Sequence, residues 1–212
     1  MATQPNPYPL RLNIDYPDRQ LNRWSSFFRI IAVIPIWILF ALINGGTFNS
    51  WNNSSNQFSG YASTAGWGIF AAIALLILFR QKYPRWIFDW ILALNRFSNR
   101  IYVYALLMRD EYPSIDEEQA VHLEIDYPNA KELKRWLPLV KWLLAIPHYI
   151  VLIFLILIAI ILAIVAWFAI LFTGRYPKGI FTFEEGVVRW CVRVTGYAFL
   201  MVTDKYPPFS LD

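Results

Sequence analysis

Four arginines have the type and spacing that best fit a defined chemistry. Arg96 and Arg100 stand four apart, as do Arg189 and Arg193. Positions i and i+4 share a helix face, and a guanidinium fork suits phosphate oxygens. The chemistry on offer is capture of anionic lipid headgroups. The plainer alternative is salt bridging to Asp89, Glu184, Glu185 or a nearby acidic segment, or a solvated helix face. Other chemistries are poorly served. His122 and His148 are far apart with no third ligand near either, so no metal site is expected. Cys191 lies between Arg189 and Arg193, but residues two apart on a helix do not face each other; a small packed residue is expected, not a low-pKa nucleophile. No G-x-S-x-G, H-E-x-x-H or G-x-x-x-x-G-K-[ST] motif occurs. No cofactor is expected, and no catalytic residue. Asn52-Asn-Ser54 fits the glycosylation pattern, a triplet common by chance in a Ser/Asn-rich segment.

The elements that must position these arginines come twice. Leu12-Asn-Ile-Asp-Tyr-Pro17 recurs as Leu123-Glu-Ile-Asp-Tyr-Pro128, and Leu21-Asn-Arg-Trp24 as Leu133-Lys-Arg-Trp136. The matches continue through Arg29 with Lys141, Pro35 with Pro147, Tyr83-Pro-Arg85 with Tyr176-Pro-Lys178, the two arginine pairs, and Tyr112-Pro113 with Tyr206-Pro207. Ordered self-similarity of this length predicts a whole-chain duplication, 1–114 and 115–212. Each half opens on an alternating segment. Leu10, Leu12, Ile14 and Tyr16 oppose Arg11, Asn13 and Asp15, while Val121, Leu123, Ile125 and Tyr127 oppose His122, Glu124 and Asp126. Both read as half-buried strands that end at a proline.

An apolar run follows in each half. Trp136 to Phe172 contains one charged residue, Lys141. As a single helix it would be about 55 Å long, well beyond a bilayer core. In the first half the run is split into Trp24–Ile43 and 62–79 by an uncharged polar segment, 44–61. Basic residues flank both halves: Arg19 and Arg23 before, Arg80, Lys82 and Arg85 after; then Lys131, Lys134 and Arg135 before, Arg175 and Lys178 after. Basic flanks stay cytoplasmic, so each run is expected to be a membrane hairpin, with 44–61 outside and the second fold-back around Ile153–Ile160. The competing reading breaks the second run at Pro147, giving a surface helix over 132–146 and one spanning helix over 148–172. Trp24 and Trp136 are expected as interfacial anchors, with Arg29 and Lys141 snorkelling to the boundary; the sharper alternative is charges lining a substrate path. Pro35 and Pro147 read as kinks.

Each half then returns to the surface. Thr182-Phe-Glu-Glu185 fits a capping box and Asp89 is a cap-type residue at the matching place, so interfacial amphipathic helices are expected from there through Arg100 and Arg193. Ile101–Met108 and Val194–Val202 read equally as strand or as helix. Asp110, Glu111, Asp116, Glu117 and Glu118 form an acidic linker.

Composition agrees with a membrane setting: 57% of residues are hydrophobic, 18% aromatic and only 16% charged, against about 25% charged in soluble domains. The net charge of +4 is too mild and dispersed for nucleic acid. A single cysteine excludes an internal disulfide. The first residues show no signal-peptide pattern, so insertion by internal helices is expected. The fold class expected is a mainly α polytopic membrane protein of two tandem repeats, each a strand, a hairpin and an interfacial helix, with a small cytoplasmic sheet.

Particular stretches carry a family likeness: Asp-Tyr-Pro, Lys141-Trp-Leu-Leu-Ala-Ile-Pro-His148, Ala166-Trp-Phe-Ala-Ile-Leu-Phe-Thr-Gly-Arg-Tyr-Pro177, Arg189-Trp-Cys-Val-Arg-Val194 and Lys205-Tyr-Pro-Pro-Phe209. On these the chain resembles a family of bacterial membrane proteins catalogued only as domain of unknown function 4389. The second half looks like a typical copy and the first like a divergent one. The resemblance implies a prokaryotic membrane protein and brings no reaction, cofactor or catalytic residue with it.

Three functions are therefore expected, in order. The first is a non-enzymatic accessory or scaffold protein of the cytoplasmic membrane, multi-pass with both termini inside, that packs against a membrane-protein partner or itself. The second is a protein that binds or organises anionic lipids through the four arginines. The third is a small oligomeric channel or transporter. The expected spans lack acidic residues, which argues against proton or sodium coupling.

Overall fold

The computed structural model describes residues 8–17, 20–43, 65–115 and 117–212. The expected outer loop 44–61, with Asn52-Asn-Ser54, lies outside the described residues, as do Arg19 and Asp116.

The two alternating segments are strands, β1 (Leu10–Ile14) and β2 (Val121–Ile125), with Leu10, Leu12 and Ile14 buried in the first and Val121, Leu123 and Ile125 in the second. They pair antiparallel, and Leu12 lies opposite Leu123. Each residue of that central pair thus faces its own sequence counterpart. Matched hydrogen bonds extend the pairing: Asp15 N–H donates to the Ala120 carbonyl and Asp126 N–H to that of Pro9, both at 3.0 Å. The apolar face of this ribbon rests on two helices, α3 (Arg85–Ala105) and α6 (Lys178–Ala198). Each helix packs on the strand of the other half, α6 on β1 and α3 on β2.

Both helices begin directly after a proline in extended conformation, Pro84 (ψ 131) and Pro177 (ψ 124). Caps at Asp89 and Thr182 are therefore corrected: a proline's fixed φ starts the helix a turn earlier. Thr182 sits inside α6, its hydroxyl bonded back to the Lys178 carbonyl at 3.1 Å, and Glu185 turns to the sheet. Residues 101–108 and 194–202 resolve as helix to Ala105 and Ala198, then a turn in which Leu107 (φ 64) and Met201 (φ 55) are left-handed.

Beneath α3 and α6 lies an apolar layer made of α1 (Arg23–Ile43), α2 (Ala65–Leu75) with a π-helical turn Leu76–Arg80, α4 (Pro138–Leu144) and α5 (Ile146–Thr173). α1 bends by 53° between Arg23–Arg29 and Ile31–Ala41. Pro35 explains this, since it has no N–H for the Ile31 carbonyl and its ring crowds that group. Pro147 acts likewise on Leu143, and the chain breaks between α4 and α5. The expected second hairpin is corrected by α5, which runs unbroken through Ile153–Ile160. No glycine, proline or polar residue offers a turn there, so every backbone group stays in the helix ladder. The competing reading, a break at Pro147, matches the fold. α5 ends where Gly174 adopts φ 73 and its N–H caps the Ile170 carbonyl at 2.7 Å.

The main core joins all three layers. Leu12, Leu123, Val103, Val192 and Met201 meet Ile73, Ile77, Ala166 and Ile170 from the apolar layer. α5 is long and apolar enough to cross a membrane; the bent α1 joins it in that test only if its two pieces count as one span. The chain is thus mainly helical with one small sheet.

Candidate functional site

Arg29 and Lys141 are the buried cations on the described apolar elements, and neither snorkels. Arg29 is 1% exposed and Lys141 is fully buried. Arg29 pairs with Asp110 and donates to the carbonyls of Tyr104 (3.2 Å) and Arg109 (2.5 Å). Lys141 pairs with Asp204 at 2.7 Å and donates to the Thr203 carbonyl at 2.7 Å. Each cation also sits over a tyrosine ring, Tyr104 at 4.1 Å and Tyr197 at 5.4 Å. The second oxygen of each aspartate accepts a backbone N–H, from Asn22 and Lys134 respectively, both at 2.7 Å. Burial pulls the Lys141 ammonium below its ordinary value, while its hydrogen bond and ion pair with Asp204 oppose that shift. These two locks tie the apolar layer to the turns after α3 and α6.

The four arginines are turned inward. Arg96 Nε donates to the Leu123 carbonyl and Arg189 Nε to the Leu12 carbonyl, both at 3.0 Å. Arg189 also holds Glu185 (2.5 Å) and the Leu211 carbonyl (3.1 Å). Glu185 in turn accepts the Ile14 N–H at 3.2 Å. Arg100 and Arg193 are buried and donate to the carbonyls of Ser114 (2.6 Å) and Ser210 (3.4 Å). The sequence reading of α3 and α6 as surface helices with arginines toward headgroups is corrected: the helices form a middle layer, and the arginines bind strands and tails. Fourfold spacing signalled a shared face but not which neighbour covers it.

Several exposed basic residues gather in two places. Lys82 and Lys131 line one surface depression, Arg135 donates to Gln81 at 2.8 Å, and Arg85 covers the Tyr127 ring at 5.5 Å. At the matched place Leu21 N–H donates to the Gly174 carbonyl at 2.9 Å beside Arg23 and Arg175, and Lys178 lies 5.4 Å over Tyr16. None of these cations is in an ion pair among the described residues. Three tryptophans stand out beside them, Trp24 (75% exposed), Trp86 (73%) and Trp136 (73%).

Two buried groups break the twofold pattern. Glu184 is wholly buried where the first half has Ile91. Tyr176 donates to its Oε2 at 2.5 Å, and Oε1 has no partner. Burial pushes this carboxyl up to about 7, the tyrosine hydrogen bond opposing. His148 accepts from Trp190 Nε1 at 3.1 Å and stacks on Phe209 at 3.9 Å. Burial raises the Cys191 thiol to about 11, which suits packing, not nucleophilic attack. His122 pairs with Asp15 at 3.0 Å on the ribbon's outer face. Among the described residues no three His, Cys, Asp or Glu side chains are grouped to hold a metal. A groove of about 470 Å³ lies between α1, the end of α3 and α5, walled by Val33, Leu106, Ile160 and Trp167.

This geometry defines a chain with a polar ribbon on one side and an apolar helical layer, one helix of it long enough to cross a membrane, on the other. Residues 136–210 match the model of a family described as "Domain of unknown function (DUF4389)". The match covers one copy, in the second half, and does not reach the first. No curated protein and no solved structure matches the chain.

Proposed function

We propose that this protein is a non-enzymatic accessory or scaffold subunit of the bacterial cytoplasmic membrane. Its apolar layer is embedded in lipid, and its ribbon and both termini stand on the cytoplasmic side. One observation carries the reading. α5 buries a single stripe, His148, Leu152, Ala159, Ala166 and Ile170, and leaves the rest of its Ile, Leu, Val and Phe side chains largely uncovered. An apolar surface of that extent needs lipid or a partner to cover it. The buried cations Arg29 and Lys141 serve structural locks, as befits a scaffold. The first half is, in this reading, a second and divergent copy of the matched family, which the paired Arg29–Asp110 and Lys141–Asp204 locks support.

Native-source membranes solubilised in gentle detergent test the proposal. A membrane-protein partner at fixed stoichiometry is expected. Recovery in the soluble fraction, or a chain that purifies without any protein partner, would sink it. A second reading, organisation of anionic lipid, is favoured by the two exposed basic clusters beside Trp24, Trp86 and Trp136 in place of the four arginines.

A further inference from the structure

We propose that α1 and α5 lie within one leaflet, roughly parallel to its plane, so that α5 does not cross the bilayer it is long enough to cross. This rests on the reading that the apolar layer is embedded in lipid.

The first support is how the elements run. β1, α6 and α5 are stacked side by side. Tyr8 reaches the Arg193 carbonyl (3.4 Å), Leu10 packs at Gly196, Ile14 meets Glu185 (3.2 Å), and the Tyr16 ring meets Phe181 at 5.1 Å, so α6 runs back along β1. α5 runs back along α6 in turn: its start meets Trp190 through His148, and its end leads through Gly174 into Lys178. α1 follows α3 in the same way, with Arg29 at Tyr104, and Ile36 and Phe40 against Ile101 and Phe97. An upright α5 would therefore stand β1 and α6 upright as well. Arg11, Glu124, Asp126 and Asp15, all about half exposed or more on the ribbon's outer face, would then line a wall through the hydrocarbon, where charges are strongly disfavoured.

The second support is charge. One basic cluster, Lys82, Arg85, Lys131 and Arg135, sits where the π-helical turn ends and α4 approaches. The other, Arg23, Arg175 and Lys178, sits where α1 starts and α5 ends. An upright α5 would send these clusters to opposite sides of the membrane. A flat one sets both at a single headgroup plane, where anionic lipid and the positive-inside bias favour them, with the exposed tryptophans at the same boundary. The residues farthest from the buried stripe, Phe154, Ile161 and Phe168, then point into the acyl chains of that leaflet.

The test uses the full chain with Cys191→Ala and single cysteines at Lys134 or Arg175, which flank the α4–α5 run on exposed positions. A membrane-impermeant maleimide is applied to right-side-out and inside-out vesicles. Both positions are expected to label from the cytoplasmic side only. Labelling from opposite sides would overturn the proposal. Lys131→Cys with Lys178→Cys serves as a second pair should either variant misfold. A bimane on Phe154→Cys is expected to be quenched several-fold by acyl-chain nitroxide lipid. Shielding from that quencher, with cross-linking to a second copy or to another protein, would overturn lipid as the occupant. Recovery of the chain in the soluble fraction would defeat the membrane reading itself, which is a separate result from opposite-side labelling.

Discussion

Asp110 and Asp204 hold the two buried cations of the apolar layer, Arg29 and Lys141. Removing one partner of a buried pair strands the other charge, at a cost of about 3–5 kcal/mol, whereas replacing both is often neutral. Asp204→Ala is therefore expected to lower the melting temperature in detergent sharply, and Lys141→Met with Asp204→Ala to recover most of the loss. Equal melting temperatures for the single and double variants would refute the lock. Glu184 makes a prediction of opposite sign to the usual carboxylate. Its folded pKa is raised to about 7 from an ordinary value of 4.5, so between these values the folded state keeps a proton that the unfolded chain has released. Stability is then fully present below about pH 4.5 and falls as pH rises toward 7, by on the order of 3 kcal/mol at most. Glu184→Gln is expected to flatten this slope in thermal melts taken across that range. The equivalence of Arg29 with Lys141 was legible in the sequence because both stand at one offset from a tryptophan. Their aspartates were not, because Asp110 read as part of an acidic linker and the fold alone brings it back beside α1.

α6 approaches β1 closely enough that Gly196 has no room for a methyl group: a Cβ there would lie 2.3 Å from Leu10 Cδ2. Gly196→Ala is expected to destabilise by about 1–3 kcal/mol, and Leu10→Ala in the same chain to relieve part of that. Denaturant or thermal unfolding of the single and double variants checks it; additive losses would show that the contact is not the cause. Period-two alternation made both strands legible, whereas the unbroken α5 matched only the competing reading of its apolar run. The hairpin expected in α5 came from its charged flanks, which report the side on which a segment begins and ends. They carry no information about whether it turns back or lies flat between those points. The starts of α3 and α6 were misplaced because a local cap pattern at Thr182 competes with Pro177, and the proline decides.

Across the whole molecule, neither half is complete alone. β2 takes its partner strand from the first half, and α6 rests on β1, not on β2. Self-similarity pointed to a duplication, yet it says nothing of this exchange, which depends on which surfaces meet. Residues 115–212 expressed alone are expected to be unable to persist as a folded monomer. Light scattering after gel filtration should show a dimer, and a well-folded monomer would contradict the exchanged packing. The pairing of Leu12 with Leu123 explains why a dimer is the natural outcome. A strand that lies antiparallel to its own counterpart about a central residue is self-complementary. A protein built of one such unit would satisfy itself with an identical chain, and fusing the two genes would preserve the interface while freeing the copies to diverge. On that proposed history, the polar segment 44–61 and the buried Glu184 would be changes made in one copy after fusion.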